Sequence, residues 1–258
     1  MYIYAVKSNL FVGQKSILMS KNALLFGATS GIGRELAKVL VDDGYNVMIT
    51  GRRIEKLKEI QSENPQNYKI QQHDITDVDA TKKVFENLPT VFDKVDLIIH
   101  NSGIAEENFE LEWQKALPTI EVNVIGATRV YQLAYNYFKD QGYGHLVGVT
   151  SIASIRGNRG VAAYHASKAY QASYLESLWM KARRSKKAKI DVTNILPGYV
   201  DTAIIIGPTF WMSSLEKATK QIYRAIKLKK RKAYITRRWA LIGLFLKIIP
   251  AKLLTKHS

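Results

Sequence analysis

The 258-residue chain contains no cysteine. That excludes disulfides, thiolate nucleophiles and cysteine-ligated metals, and it is compatible with a reducing, cytoplasmic setting. Long apolar runs are also missing, and no segment reaches the roughly 20 residues of a membrane span. Residues 1–18 hold no apolar run as long as the roughly 7–15 residues of a signal's apolar region, so they do not read as a secretory signal. They are expected to be a flexible extension, with Met19 as a second candidate start. The third scarcity is acid at one end. Of 38 basic and 22 acidic residues, 13 basic and no acidic ones fall within 217–258, so the formal charge of +16 sits mostly in the tail. Such a tail favours anionic partners (lipid head groups, nucleic acid or an acidic protein) over the plain alternative of solvated helix faces.

What remains is an ordinary globular composition, 47% hydrophobic and 23% charged, at a length that suits one large α/β domain. Apolar runs predict strands near 23–26, 46–50, 68–72, 95–100, 145–150, 190–196 and 233–236. Helical spacing occupies 35–41, 54–60, 113–138 with a break near Pro118, 161–183 and 214–228. The alternation implies an α/β fold: a single doubly wound parallel sheet of about seven strands with helices on both faces. The catalytic domain is expected over 19–236 with a substrate loop near 200–228, followed by a basic, apolar helical segment over 237–258.

Between the first strand and first helix lies Gly27-Ala-Thr-Ser30-Gly31-Ile32-Gly33. A glycine turn there lets backbone N–H groups and a helix N-terminus approach a pyrophosphate. Its spacing is wider than G-x-G-x-x-G, and an ordinary strand–helix turn is the plain alternative. The second strand ends in Gly51-Arg52-Arg53 with no acid. A carboxylate at this place bonds a ribose 2′-OH, whereas arginine accommodates a 2′-phosphate, so the expected cofactor is NADP(H). The alternative is two solvated arginines, although cations oppose the dipole at a helix start.

Tyr164 and Lys168 stand four residues apart, on one face of a helix. An ammonium near a phenol favours the phenolate and brings it toward the working range of an acid–base catalyst. The pair alone is common by chance. Ser151 strengthens it, because it ends a predicted strand on the side where open α/β sheets bind ligands.

With these motifs in order, residues 21–202 resemble the short-chain dehydrogenase/reductase family. Its glycine turn matches Gly27, Gly31 and Gly33, although Phe26 stands where the family usually has Thr. Its N-N-A-G segment appears as His100-Asn101-Ser102-Gly103, and its helix asparagine as Asn123. Ser151, Tyr164 and Lys168 follow, then Pro197-Gly198 and, beyond Val200, Thr202. The resemblance implies that Tyr164 exchanges the proton, Lys168 lowers the Tyr164 pKa and bonds the nicotinamide ribose, and Ser151 donates to the substrate oxygen. It also implies that Asn123 holds a water linking Lys168 to solvent, and that Asp74, with Ile75, contacts the adenine while Thr202 contacts the carboxamide. No metal is implied, and a homodimer or homotetramer is expected.

Residues 203–212 are unusually apolar for a loop and are expected to line a greasy pocket, unless they pack on the core or a second subunit. The apolar stretch at 239–249, with Trp239 at one end and basic flanks, suits a helix lying on the face of a membrane, near the mouth of the active site. A subunit interface and simple packing on the body are the alternatives. The leading functional reading is NADPH-dependent reduction of a lipophilic ketone or aldehyde. A second is reduction of 3-oxoacyl groups on an acidic acyl carrier protein, docked by the basic tail. A third, from another class, is a non-catalytic NADP-binding regulatory protein, against which the intact Asn123, Ser151, Tyr164 and Lys168 set argues. No nucleic-acid module is recognisable.

Overall fold

The computed structural model describes residues 21–202, 204 and 210–254. The expected extension at 1–18, the start at Met19 and most of the loop at 203–209 lie outside them. Seven strands form one sheet: β1 (Lys21–Phe26), β2 (Tyr45–Gly51), β3 (Tyr68–Gln72), β4 (Leu97–His100), β5 (Tyr143–Val149), β6 (Lys189–Pro197) and β7 (Lys232–Ile235). Their order is β3-β2-β1-β4-β5-β6-β7, and every pairing is parallel. A parallel sheet must be covered on both faces, which is why Ala23 to Phe26 of β1 and Leu97 to Ile99 of β4 are apolar and buried. On one face Leu25, Ile49 and Val147 pack with Leu36 and Leu40 of α1 (Gly31–Asp42) and with Ile222 and Ile226 of the helix at Leu215–Lys227. On the other, Leu24, Ile98 and Leu146 meet the helices at Val78–Val91, Ala127–Gln141 and Ala162–Arg184.

The helices are α1, α2 (Ile54–Glu63), α3 (Val78–Val91), α4 (Trp113–Ile120), α5 (Ala127–Gln141), α6 (Ala162–Arg184), α7 (Leu215–Lys227), α8 (Arg238–Ile248) and α9 (Ala251–Leu254). The periodicity reading places no element at α3. Its signals are a start cap, in which the Asp77 carboxylate accepts from the Ala80 N–H at 2.8 Å, and the buried spacing of Val84, Phe85 and Leu88. The expected long helix at 113–138 is three pieces, because a π turn at Glu121–Gly126 separates α4 from α5. That turn carries Asn123, and widened turns of this kind gather at functional sites.

The tail helix α8 is not peripheral on its inner side. Trp239 is 2% exposed and leans on Gly198, leaving no room for a Cβ there. It therefore does not act as the interfacial aromatic that its place in the sequence suggested. A side chain at Gly243 would meet Ile155 and Tyr234 at 2.9 Å, so glycine permits the close approach of α8 to the body. Arg156 finishes the attachment, donating to the carbonyls of Leu246 at 2.5 Å and Ile249 at 2.6 Å. Those are orphan acceptors at a helix end, and the cation also suits the negative end of the dipole. Arg156→Ala should therefore lower thermal stability by about 1.5–3 kcal/mol, the scale of a charge-assisted bond. Scanning calorimetry of both proteins checks it, and an unchanged transition would refute the anchoring role.

Candidate active site

The carboxyl ends of β1 to β6 open on one cleft of about 1080 Å³. It lies where the strand order turns back, between β1 and β4, the place where open α/β sheets leave a crevice. Gly27, Ser30, Gly31, Ile32, Arg52, Arg53, Asp74, Ile75, Asn101, Ser102 and Gly103 line it, as do Ser151, Tyr164, Lys168, Pro197, Gly198, Val200 and Thr202. Two sequence-derived residues remain. Gly33 supports the turn from α1, and Asn123 lies fully buried behind the cleft.

The glycine turn is held by three hydrogen bonds from two neighbours. The N–H groups of Gly27 and Ala28 both donate to the Thr50 carbonyl at 3.1 Å, and the Asn101 amide donates to the Gly27 carbonyl at 2.9 Å. Gly27 and Gly31 have φ of +81° and +54°, conformations natural to glycine. A Cβ at Gly33 would collide with the Gly27 carbonyl, and one at Gly27 would sit 2.7 Å from the Ser102 nitrogen. Phe26 does not line the cleft. Its ring is fully buried on the opposite side, stacked on Phe85 with centroids 5.8 Å apart.

Arg53 reaches back onto this turn. Its guanidinium donates to the Thr29 hydroxyl at 2.7 Å and the Ser30 hydroxyl at 2.9 Å. Ser30 begins α1 without capping it, so its oxygen is available to the arginine. Thr29 was not among the residues expected from sequence, although its place inside the turn was a sufficient signal. Arg52 lines the cleft nearby, and its backbone carbonyl accepts from Gln72. The Asp74 carboxylate accepts from the N–H and hydroxyl of Thr76 at 3.0 and 2.9 Å. Glycines a Cβ would block, an α1 start aimed at the cleft and an arginine bridge beside it fit a dinucleotide carrying a 2′-phosphate.

Beyond β5, Ser151 begins a 3₁₀ turn at Ile152–Ile155, and its hydroxyl accepts from the Ala153 N–H at 3.1 Å. Burial pushes the Tyr164 phenol above its usual value, and a hydrogen bond with Ser151 works against that shift. Lys168 is 3% exposed, and burial lowers its ammonium to about 8. Its Nζ lies 5.8 Å from the centre of the Tyr164 ring. The expected lowering of Tyr164 by Lys168 is thus not the dominant effect in the protein alone. Dehydration of the phenol outweighs an ammonium at that distance, and the same dehydration weakens the ammonium itself.

The surroundings of Lys168 also differ from the expectation. Nζ donates to the Val149 carbonyl at 3.3 Å and to the Gln171 amide oxygen at 3.2 Å. The Gln171 amide nitrogen then donates to the Asn123 carbonyl at 2.7 Å. A protein side chain, fully buried, spans the gap that the resemblance assigns to a water. The Asn123 side chain is committed elsewhere: it pairs twice with the Ile104 backbone, at 3.0 and 2.7 Å, and donates to Ser167 at 3.0 Å. Gly103 completes the arrangement, since a Cβ there would come within 3.1 Å of the Lys168 nitrogen. Gln171 sits one helical turn beyond Lys168, a spacing that could have drawn notice to it.

The far wall of the cleft is apolar and aromatic. Phe210, Trp239, Ile242 and Leu246 line it, and the Phe210 and Trp239 rings lie 5.3 Å apart. Two of the apolar residues expected at 203–212 thus fall on the cleft wall, Ile204 and Phe210, while Trp211 and Met212 face outward. Three wall residues come from α8, Trp239, Ile242 and Leu246, so the apolar tail segment forms part of the pocket itself.

Residues 21–207 match the family described as short chain dehydrogenase. A Myxococcus xanthus protein named "Uncharacterized oxidoreductase" is 33% identical over 200 residues, covering 76% of this chain and 78% of its own. A Haemophilus influenzae protein named "Probable NADP-dependent dehydrogenase" is 32% identical over 184 residues, covering 70% and 72%. The crystal structure of a short-chain dehydrogenase from Streptomyces avermitilis superposes with a TM-score of 0.78 at 21% identity, over 92% of this chain and 96% of that one. The chain is an oxidoreductase of the short-chain dehydrogenase family, whose members bind NAD or NADP.

Proposed function

We propose that this protein reduces a lipophilic ketone or aldehyde to the alcohol with NADPH. The observation that carries the reading is the hydrogen-bonded, half-buried Tyr164–Ser151 pair, which lines one cleft with Phe210, Trp239, Ile242 and Leu246. A phenol held above its usual value stays protonated at neutral pH, which suits donation to a carbonyl rather than removal of a hydroxyl proton. Arg53, bonded to Thr29 and Ser30, and Arg52 beside it would take the 2′-phosphate, and the name of the Haemophilus relative agrees with that choice. When bound, the cofactor supplies the hydride. Ser151 donates to the substrate oxygen, and Tyr164 Oη passes its proton to that oxygen. The Lys168 ammonium, held by Gln171 and the Val149 carbonyl, offsets the negative charge left on Tyr164. Asn123 fixes Ile104 and, through its carbonyl, Gln171.

NADPH consumption against steroid, retinoid, fatty-acyl and small aromatic carbonyls tests the reading. Turnover should favour the lipophilic members. A preference for 3-oxoacyl groups on acyl carrier protein would replace it with the carrier-dependent reading, and no turnover of any carbonyl would refute it.

A pH dependence follows from Lys168. Its value of about 8 means that the side chain is charged below that pH and neutral above it. Reduction needs the charged form, so kcat/KM should be level up to about pH 8 and fall beyond it. Lys168→Met should lower the plateau and remove that decline. A wild-type profile still level at about pH 10, the reference range of free lysine, would show that Lys168 does not act in this way.

A further inference from the structure

Helix α8 has two unlike sides. Its inner side, with Trp239, Gly243 and Leu246, closes the cleft. Its outer side presents Leu241, Leu244, Phe245 and Ile248, which are 74%, 58%, 61% and 72% exposed. Their spacing of three, four and seven residues makes one continuous stripe. Next to it, Arg238 stands over the Trp211 ring at 5.3 Å and donates to the Trp211 carbonyl, which joins the exposed Trp211 and Met212 to the same surface. An apolar patch of this size on a cleft rim marks an interaction site.

We propose that this surface docks on an anionic lipid bilayer, with the cleft mouth at the membrane. Charge identifies the occupant. Arg237 and Lys247 are exposed beside the stripe, and residues 217–258 contain no acid to offset them. A two-fold pairing of the stripe with a second copy would set two such basic tails against each other, whereas anionic head groups neutralise them. The eleven residues of α8 extend roughly 16 Å, about half of a hydrocarbon core, so the helix lies in the interface rather than crossing it. Among the described residues no helix is long and apolar enough to cross a membrane. Glu106, Glu107 and Glu110 are exposed on the loop that carries Phe109, a different segment bordering the cleft, and would be repelled. That asymmetry turns the α8 side toward the lipid. Ile242 and Leu246, which line the cleft together with Tyr164, would then give it an apolar wall on the bilayer side. Delivery of substrate along that wall rests on the proposed function, but docking itself does not.

The test is co-sedimentation of the full chain with vesicles, read without turnover. The protein should pellet with equimolar phosphatidylcholine and phosphatidylserine and remain in solution with phosphatidylcholine alone, and added salt should weaken the binding. Phe245→Asp and Leu241→Asp lie outside the cleft lining. Each should reduce the bound fraction at low protein by at least about tenfold while NADPH binding, followed by fluorescence, is unchanged. Failure of the wild-type protein to pellet with the anionic vesicles at low salt would overturn the proposal, as would binding of both variants equal to wild type. Sedimentation velocity without vesicles supplies the other outcome: an oligomer that Phe245→Asp splits would assign the stripe to a second copy instead.

Discussion

Tyr164→Phe should reduce turnover by about 10²–10⁴-fold, the range that a positioned acid–base group contributes, while leaving the fold and NADPH affinity nearly unchanged. The ring keeps its place because its neighbours are unaltered, including His165, whose ring centre lies 6.0 Å away. Only the hydroxyl that bonds Ser151 and would carry the proton is lost. Single-turnover reduction separates chemistry from binding. Retention of more than about a tenth of the rate would assign the proton to another group. Ser151→Ala should have a smaller effect, because it removes a donor to the developing charge but not the proton itself.

Replacing Arg52 and Arg53 together with Ala should invert the cofactor preference. Charge-assisted hydrogen bonds contribute about 1.5–3 kcal/mol each, so the NADPH-to-NADH ratio of kcat/KM should fall by at least about a hundredfold. NADH, which has no 2′-phosphate, should lose little. Arg53 carries a second duty, because its bonds to Thr29 and Ser30 also tie β2 to the glycine turn. Arg53→Ala alone should therefore slightly weaken NADH as well, and Arg52→Ala should not. A double variant that loses both cofactors equally would leave the arginines as turn supports with no phosphate role.

Much of this architecture was readable from the chain. Strand ends carry the motifs, and each motif is local: the turn after β1, the arginines after β2, the Asn101–Gly103 segment after β4, Ser151 after β5. Apolar runs of β-branched residues predict buried parallel strands, and the strand–helix alternation orders them. α3 escaped because its apolar face is short and Pro89 interrupts the pattern, although Asp77 marks its start. The shift of Tyr164 escaped for a different reason. Sequence spacing puts Lys168 on the same helical face, but only the packed structure sets how far water is removed from both groups.

The sequence by itself determined the parallel α/β sheet, the family, the cleft and the residue types facing it, because each depends on periodicity or on spacings within one strand–turn–helix unit. Tertiary structure alone decided three things. It made Arg53 the residue that grips the turn, set Gln171 between Lys168 and Asn123, and folded α8 over the cleft through Arg156, ninety positions before Leu246. Those contacts join segments far apart in the chain, and their partners are chosen by how the helices pack on the sheet. No local pattern encodes that choice, since a buried amide, a capping arginine and a wedged tryptophan look like ordinary residues until the surfaces they join have met.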